Sequence, residues 1–427
     1  MRTGPSTTTN RRRPLRAATA ALLLAGTALA GAAAPGAAAA PTPASASAPA
    51  SASTASLPPL DRTALCRVLA DVPNEEVSGA LVRISGSAGE FRATSGIADL
   101  RTGRPVPHRA RFRIGSISKT FTAAVVLRLA DRGEVDLDGT VQQYLPGLLP
   151  DGFPDVTVRQ LLNHTHGIPG NTIPHKDPDW FFEHRYDVFD PREVVIGGLR
   201  GAGGREVFAP GSAQQYGNTG YLVAGLVVEA VTGRPYAEVL EEEVLRPAGL
   251  RHTSLPSGPE LRGPHARGYE AVETADGTRY VDITEASPSL TWTAGGMVST
   301  AADLDRFVTA LFRGEVVPKE QLAEMFTVPD VWKHGAEGKE KASYSVGLTR
   351  YDIGGLTVWG KSGDRPGYNN GVGATEDLSR RLVYSVNTLH MGGAQPRTAE
   401  RIIAAALVPS GSAPDPDACR GVNVARG

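Results

Sequence analysis

The chain has little cysteine, little lysine and no surplus of charge. Its 427 residues include only Cys66 and Cys419, too few for a disulfide scaffold. They form no CxxC redox pair and no Cys/His zinc set. Basic and acidic residues nearly cancel, with 44 Lys+Arg against 45 Asp+Glu. There is thus no phosphate-seeking surface, and nucleic acid is not an expected partner. Only 7 of the basic residues are lysines, so chance lysine motifs are rare. No G-x-S-x-G nucleophile elbow and no internal repeat is present. What remains, 41% apolar and 21% charged, excludes a wholly disordered or collagen-like chain and suits one large domain or a two-part fold.

Residues 2–16 hold five arginines and no acid, and an Ala/Leu-rich run follows from about Ala17 to Ala34. This order of charge, apolar run and small residues predicts a secretory signal over 1–40 and a secreted product. Pro35 and the small residues around it argue against a membrane span in the mature form. Arg11-Arg12-Arg13-Pro14-Leu15-Arg16 is near a twin-arginine pattern, with Pro14 where that pattern favours Phe, so the export route stays open. No cysteine precedes Cys66, which excludes a lipid anchor at a cleavage-site cysteine. Residues 41–58, almost wholly Ala, Pro, Ser and Thr, read as a linker. In an exported chain the even cysteine pair suggests a Cys66–Cys419 disulfide tying the ends of the globule together; two unpaired thiols are the alternative.

Strands are expected at 77–84 and 91–97, then a buried helix at 116–132 closed by Gly133. Further helices are expected near 157–164, 219–232, 303–313 and 319–326. Residues 174–195, rich in Trp, Phe, His and Asp, read as a long cleft-lining loop, and 330–342 as a charged surface loop. Strands return at 344–351, 356–360, 371–375 and 381–388, and a helix at 397–407 closes the globule. Strands, helices, strands and helix in that order suggest a sheet built from both ends of the chain, with a helical insertion.

Three short motifs stand out: Ser116-Ile117-Ser118-Lys119 (S-x-x-K), Tyr216-Gly217-Asn218 (Y-x-N) and Lys361-Ser362-Gly363 (K-[ST]-G). Composition alone gives about 0.4, 0.2 and 0.1 chance occurrences of these, so all three together by accident amount to about 0.01. Their physical logic is coherent. A serine at a helix N-terminus sits among free N–H groups, with Lys119 one turn on along the same face. A buried amine there can hold a depressed pKa and accept the serine proton. Lys361 and Ser362 on a strand edge can align an extended substrate. Tyr216 can pass a proton, and Asn218 can orient Lys119 or a substrate amide. A second Y-x-N, Tyr368-Asn369-Asn370, follows the K-S-G too closely to form a separate wall. His164 and His166 lack a third nearby ligand and read as helix-end structural residues; no metal and no cofactor is expected.

On these motifs the chain resembles the penicillin-recognising serine hydrolases. That family includes class C β-lactamases, Streptomyces-type secreted D-Ala-D-Ala carboxypeptidases, D-aminopeptidases and esterases. The resemblance spans about 60–408 and is strong from Arg111-Phe112-Arg113-Ile114-Gly115-Ser116 to the Tyr144–Pro150 stretch. It implies a β-lactamase/transpeptidase-like α/β fold. An antiparallel sheet flanked by helices would come from about 59–130 and 295–415, an all-helical part from about 131–294, and the active site would lie between them, with 416–427 as a tail. It implies an acyl-enzyme on Ser116, general acid/base work by Lys119 and Tyr216, and an oxyanion hole from the N–H groups of Ser116 and Asp364. It implies substrate contacts from Asn218, Lys361, Ser362, Gly363 and Asp364, with Trp292 as a cleft wall.

The leading expectation is a monomeric D-alanyl-D-alanine carboxypeptidase-like hydrolase acting on small cell-wall-type peptides and inhibited by β-lactams. Against the carboxypeptidase pattern, Lys361-Ser362 replaces His-Thr and Asp364 replaces a threonine. Thr349 stands where an arginine would bind the terminal carboxylate, with Arg350 one residue off. An acid at 364 disfavours a substrate carboxylate and favours an amine. A D-aminopeptidase, D-amino-acid amidase, esterase or β-lactamase is therefore the alternative, and a non-catalytic β-lactam sensor is the alternative outside enzymes.

Overall fold

Val77–Ser85 is buried at almost every position, because both faces of its sheet are covered. Ala80, Val82 and Ile84 join one apolar core, and Leu81 joins the other. The two-residue pleat period divides the strand in this way. In the computed structural model, which describes residues 57, 59–408, 413, 415 and 417–425, this strand lies near the middle of an eight-stranded sheet. The expected leader at 1–40, and all but residue 57 of the expected linker, lie outside the described residues.

The sheet is antiparallel and draws on both ends of the chain. Its order is Thr349–Ile353, Leu356–Arg365, Tyr368–Ala374, Arg381–Thr388, Val77–Ser85, Phe91–Asp99 and Asn423–Val424, with Arg104–Pro105 also paired to Phe91–Asp99. Helices Arg62–Ala70 and Arg397–Leu407 supply buried residues to one core. Helices Ser118–Asp131 and Ala301–Phe312 supply the other. Asp305 anchors the second layer to the sheet: it accepts from Arg83 at 2.9 Å, Arg381 at 2.8 Å and Ser85 Oγ at 2.6 Å.

Four expectations change. The segment 174–195 contains helix Pro178–His184 and the start of Pro191–Gly201. Each opens on an Asp cap followed by Pro, a start signal that outweighs the weak periodicity. The 131–294 part is not all helical, since Tyr269–Thr274 and Gly277–Asp282 form a hairpin. The strand expected at 356–360 runs on to Arg365, turning through Pro366-Gly367 with Gly367 at φ 79. Residues 417–425 of the expected tail belong to the fold: Cys66 and Cys419 are disulfide-bonded, and Asn423 pairs with Thr94 at the sheet edge. Among the described residues no helix is long and apolar enough to cross a membrane.

Candidate active site

Ser116 sits in a 3-10 turn, Gly115–Ile117, that leads directly into helix Ser118–Asp131. The turn and strand Leu356–Arg365 meet backbone to backbone, which requires glycine on both sides. A Cβ at Gly363 would lie 1.9 Å from the Ile114 carbonyl oxygen. Gly115 has φ +53, and a Cβ there would lie 2.7 Å from the Asp364 amide nitrogen. The Asn370 side chain fastens the contact by donating to the carbonyls of Arg113 at 2.9 Å and Gly363 at 3.2 Å. The amide groups of Ser116 and Asp364 thus come close together. Strand Thr349–Ile353 pairs only as far as Thr349 opposite Gly360, so among the described residues 361–365 keep one free edge.

Lys119 is fully buried, and three oxygens surround its Nζ: Asn218 Oδ1 at 2.7 Å, the Ala294 carbonyl at 2.8 Å and Ser116 Oγ at 3.1 Å. Burial, and secondly the charge of Lys361, hold its pKa well below the ordinary lysine value. As a neutral amine it has two N–H groups, matched by Asn218 and Ala294. Its lone pair is left for the Ser116 hydroxyl proton.

Tyr216 lies across the cleft in the segment before helix Thr219–Thr232. It is 37% exposed and lines the cleft. Burial raises its pKa, a hydrogen bond with the Ser116 side chain pulls the other way, and the phenol stays protonated. Its ring carries two amines: Lys119 Nζ is 5.1 Å and Lys361 Nζ 4.5 Å from the centroid. Burial lowers the Lys361 pKa to about 7.

The sequence motifs did not mark two aromatic neighbours. Tyr344 has its ring centroid 5.0 Å from that of Tyr216, and His164 is 4.7 Å away beneath it. His164 also contacts Tyr221 and Tyr344, has φ 65, and its Nδ1 is buried without a partner. Burial first, then Lys119, Lys361 and His166, lower its pKa well below the usual value. His164 stands one residue past the Asn163 cap of helix Val158–Leu162, where a left-handed residue commonly ends a helix, as the helix-end reading expects.

The cleft, about 360 Å³, is bounded by Ser116, Tyr216, Asn218, Lys361, Ser362 and Asp364, so the three motifs converge. His175, Lys176 and Arg365 add charge or polarity at one end. Burial lowers the Arg365 pKa to about 10, leaving the guanidinium charged at neutral pH, and it donates to Thr291 Oγ1 at 3.1 Å. Burial raises the pKa of Asp364, the only acid on this wall among the described residues, against the opposing pull of Lys176.

Trp292 departs from expectation. Its ring packs 5.6 Å from Tyr236 and against Gly225, and its neighbours Thr291 and Gly295 line the cleft instead. Thr349 is buried opposite Gly360, while Arg350 is exposed and pairs with Asp352 at 3.4 Å. Neither places an arginine in the cleft. The second Y-x-N is structural: the buried Tyr368 donates to the Ala266 carbonyl at 2.9 Å.

Residues 67–407 match the beta-lactamase family model. The chain belongs to the beta-lactamase family. Within it, the chain is 28% identical over 333 residues to penicillin-binding protein 4* of Bacillus subtilis, covering 73% of this chain and 68% of that one. It is 28% identical over 285 residues to a D-aminopeptidase of Brucella anthropi, covering 64% of this chain and 49% of the relative. Among solved structures, a D-stereospecific amidohydrolase from a Streptomyces species superposes with TM-score 0.69 at 31% identity, over 81% of this chain and 98% of that one. A D-amino acid amidase from Ochrobactrum anthropi SV3 gives 0.67 at 26%, over 80% and 97%. The family is one of serine hydrolases, and these neighbours share the antiparallel sheet with helices described above.

Proposed function

We propose that the protein is a secreted serine hydrolase that opens small amide or ester bonds of D-amino-acid derivatives through an acyl-enzyme on Ser116. The observation that carries this is the Lys119 amine. Its two hydrogens are matched by Asn218 and Ala294, and its lone pair is left 3.1 Å from Ser116 Oγ. In the reaction Ser116 Oγ gives its proton to Lys119 and bonds the substrate carbonyl carbon. The N–H groups of Ser116 and Asp364 take the oxyanion. The carbon–nitrogen or carbon–oxygen bond breaks as the proton passes, by way of the Tyr216 hydroxyl, to the leaving atom. Water then repeats these steps in reverse roles and frees Ser116.

Asp364 favours a substrate with a free amine near the scissile carbonyl. That supports the amidase or aminopeptidase reading, in line with the amidohydrolase and amidase neighbours. The second reading, a D-alanyl-D-alanine carboxypeptidase, is favoured by Arg365 and Lys361, two cations able to receive a carboxylate. Purified protein should turn over D-alanine amide faster than a D-Ala-D-Ala peptide; the opposite order would establish the carboxypeptidase. Ser116→Ala should abolish labelling by a fluorescent penicillin or an active-site phosphonate. A retained label would end the mechanism, and an adduct that never turns over would mark a sensor.

A further inference from the structure

Tyr344, Lys361 and Ser362 have a second cavity on their other side, about 430 Å³ in volume. It lies between the sheet and helix Arg397–Leu407, and its lining is mainly apolar: Val358, Leu382, Tyr384, Ile403 and Leu407. Gly371 and Gly373 also line it, and the space beside them is taken by the Tyr384 ring and by Val358. Lys333, Arg350 and Gln395 add cationic and polar groups to the lining. Thr349 is 4% exposed, and its Oγ1 has no hydrogen-bond partner. The size falls in the range of small-molecule pockets.

The reaction geometry says which part of a substrate would reach it. The oxyanion points at the Ser116 and Asp364 amides, and the leaving atom must face its proton donor, Tyr216. Beyond Tyr216 stand Tyr344, whose ring centroid is 5.0 Å away, and Lys361. These residues border the second cavity, and the exposed Ser362 lines both spaces. His175, Lys176 and Arg365 line only the cleft, whereas Lys333 and Arg350 line only the second cavity.

We propose that this cavity receives the departing amine or alcohol, and that it selects amides and esters whose leaving group is bulky and largely apolar, of aryl size. The proposal rests on the Ser116 acyl-enzyme reading and adds the substrate class. The bond made and the bond broken are those given above; the cavity only holds the product of the first step.

The test uses D-alanine amide and D-alanine 2-naphthylamide, which share an acyl group. Wild type should favour the naphthylamide by at least tenfold in kcat/KM, and free 2-naphthylamine should inhibit competitively. Ile403→Trp, which fills the cavity from the helix, should cut the preference at least tenfold and abolish naphthylamine inhibition while leaving amide turnover within twofold. Equal losses on both substrates with Ile403→Trp, or no competition by naphthylamine on the wild type, would overturn the proposal; the inhibition assay needs no variant. A phosphonate label on Ser116 separates the two levels. Labelling without leaving-group preference removes only this proposal, whereas failure to label removes the acyl-enzyme reading.

Discussion

Lys361→Met should move the acid limb of the pH profile upward. The reasoning runs through Lys119, which must be unprotonated to accept the serine proton, so kcat/KM falls as the solution becomes acid enough to charge it. Lys361 resists that charging, and below its pKa of about 7 it is itself protonated. Both amines lie over the Tyr216 ring, at 5.1 and 4.5 Å from its centroid. Laid end to end these distances limit the separation to about 9.6 Å, and at an effective dielectric of about 20 two unit charges so placed repel by about 1.7 kcal/mol. A neutral side chain of similar volume removes that repulsion while keeping the burial. Protonation of Lys119 then becomes easier, and the acid limb should rise by about 1 pH unit or more. The assay is log kcat/KM against pH for a short acyl ester, with the limb position read independently of the overall loss of rate. A limb that stays in place, or moves down, would refute the idea that Lys361 sets the protonation of Lys119.

Asp305→Ala should destabilise the fold by about 3–5 kcal/mol in urea titration, because Arg83 and Arg381 lose their shared carboxylate in a largely buried site. For the wild type, burial raises the Asp305 pKa, but hydrogen bonds from Ser85, Arg381 and Arg83 outweigh it and the net shift is downward. The folded pKa is thus below the unfolded one. The contribution is present above the ordinary carboxylate range and is lost as pH falls through the lowered value, so the gap between wild type and variant should shrink in acid. Gly363→Ala should lower the acylation rate at least about 100-fold by stopped-flow with a chromogenic ester, since its Cβ would displace the Ile114 carbonyl and the Ser116 turn. An alanine variant acylating at the wild-type rate would show that this backbone contact does not set the geometry.

The fold was legible wherever period and punctuation agreed. Helix Thr219–Thr232 is apolar round its circumference and ends at Gly233 with φ 64, both readable from composition and position. Strand ends were harder to read. Residues 361–365 include a lysine, a serine, an aspartate and an arginine, so the apolar pattern stops at Gly360 although Lys361 and Ser362 are expected on a strand edge. They remain a strand because Tyr368–Ala374 pairs with them throughout and the Ser116 turn packs against Gly363. Trp292 differs for another reason: a tryptophan beside a cleft and one packed against Tyr236, 5.6 Å away, look alike in sequence. The tail was hidden because two residues of strand give no periodic signal, although Cys419 marked the place where the chain returns.

The catalytic motifs were visible as residue types, but their electrostatics belong to the group. Lys119, Lys361 and His164 are each able to carry a positive charge, and all three gather around the rings of Tyr216, Tyr221 and Tyr344. Enclosure in aromatic surface removes water, and each cation raises the cost of charging the next. Aromatic faces also tolerate a cation better than aliphatic surface does, so the group can accept one proton during the reaction without collapse. A base that is neutral at rest and chargeable in transit needs both properties. His164 joins this group with an unbonded Nδ1. The ring fills the floor under Tyr216 as an aromatic surface, and a charged or solvated residue there would alter the balance that keeps the Lys119 lone pair free. Sequence spacing names the three motifs; the aromatic floor that sets their protonation is assembled from residues 164, 221 and 344, brought together only by the fold.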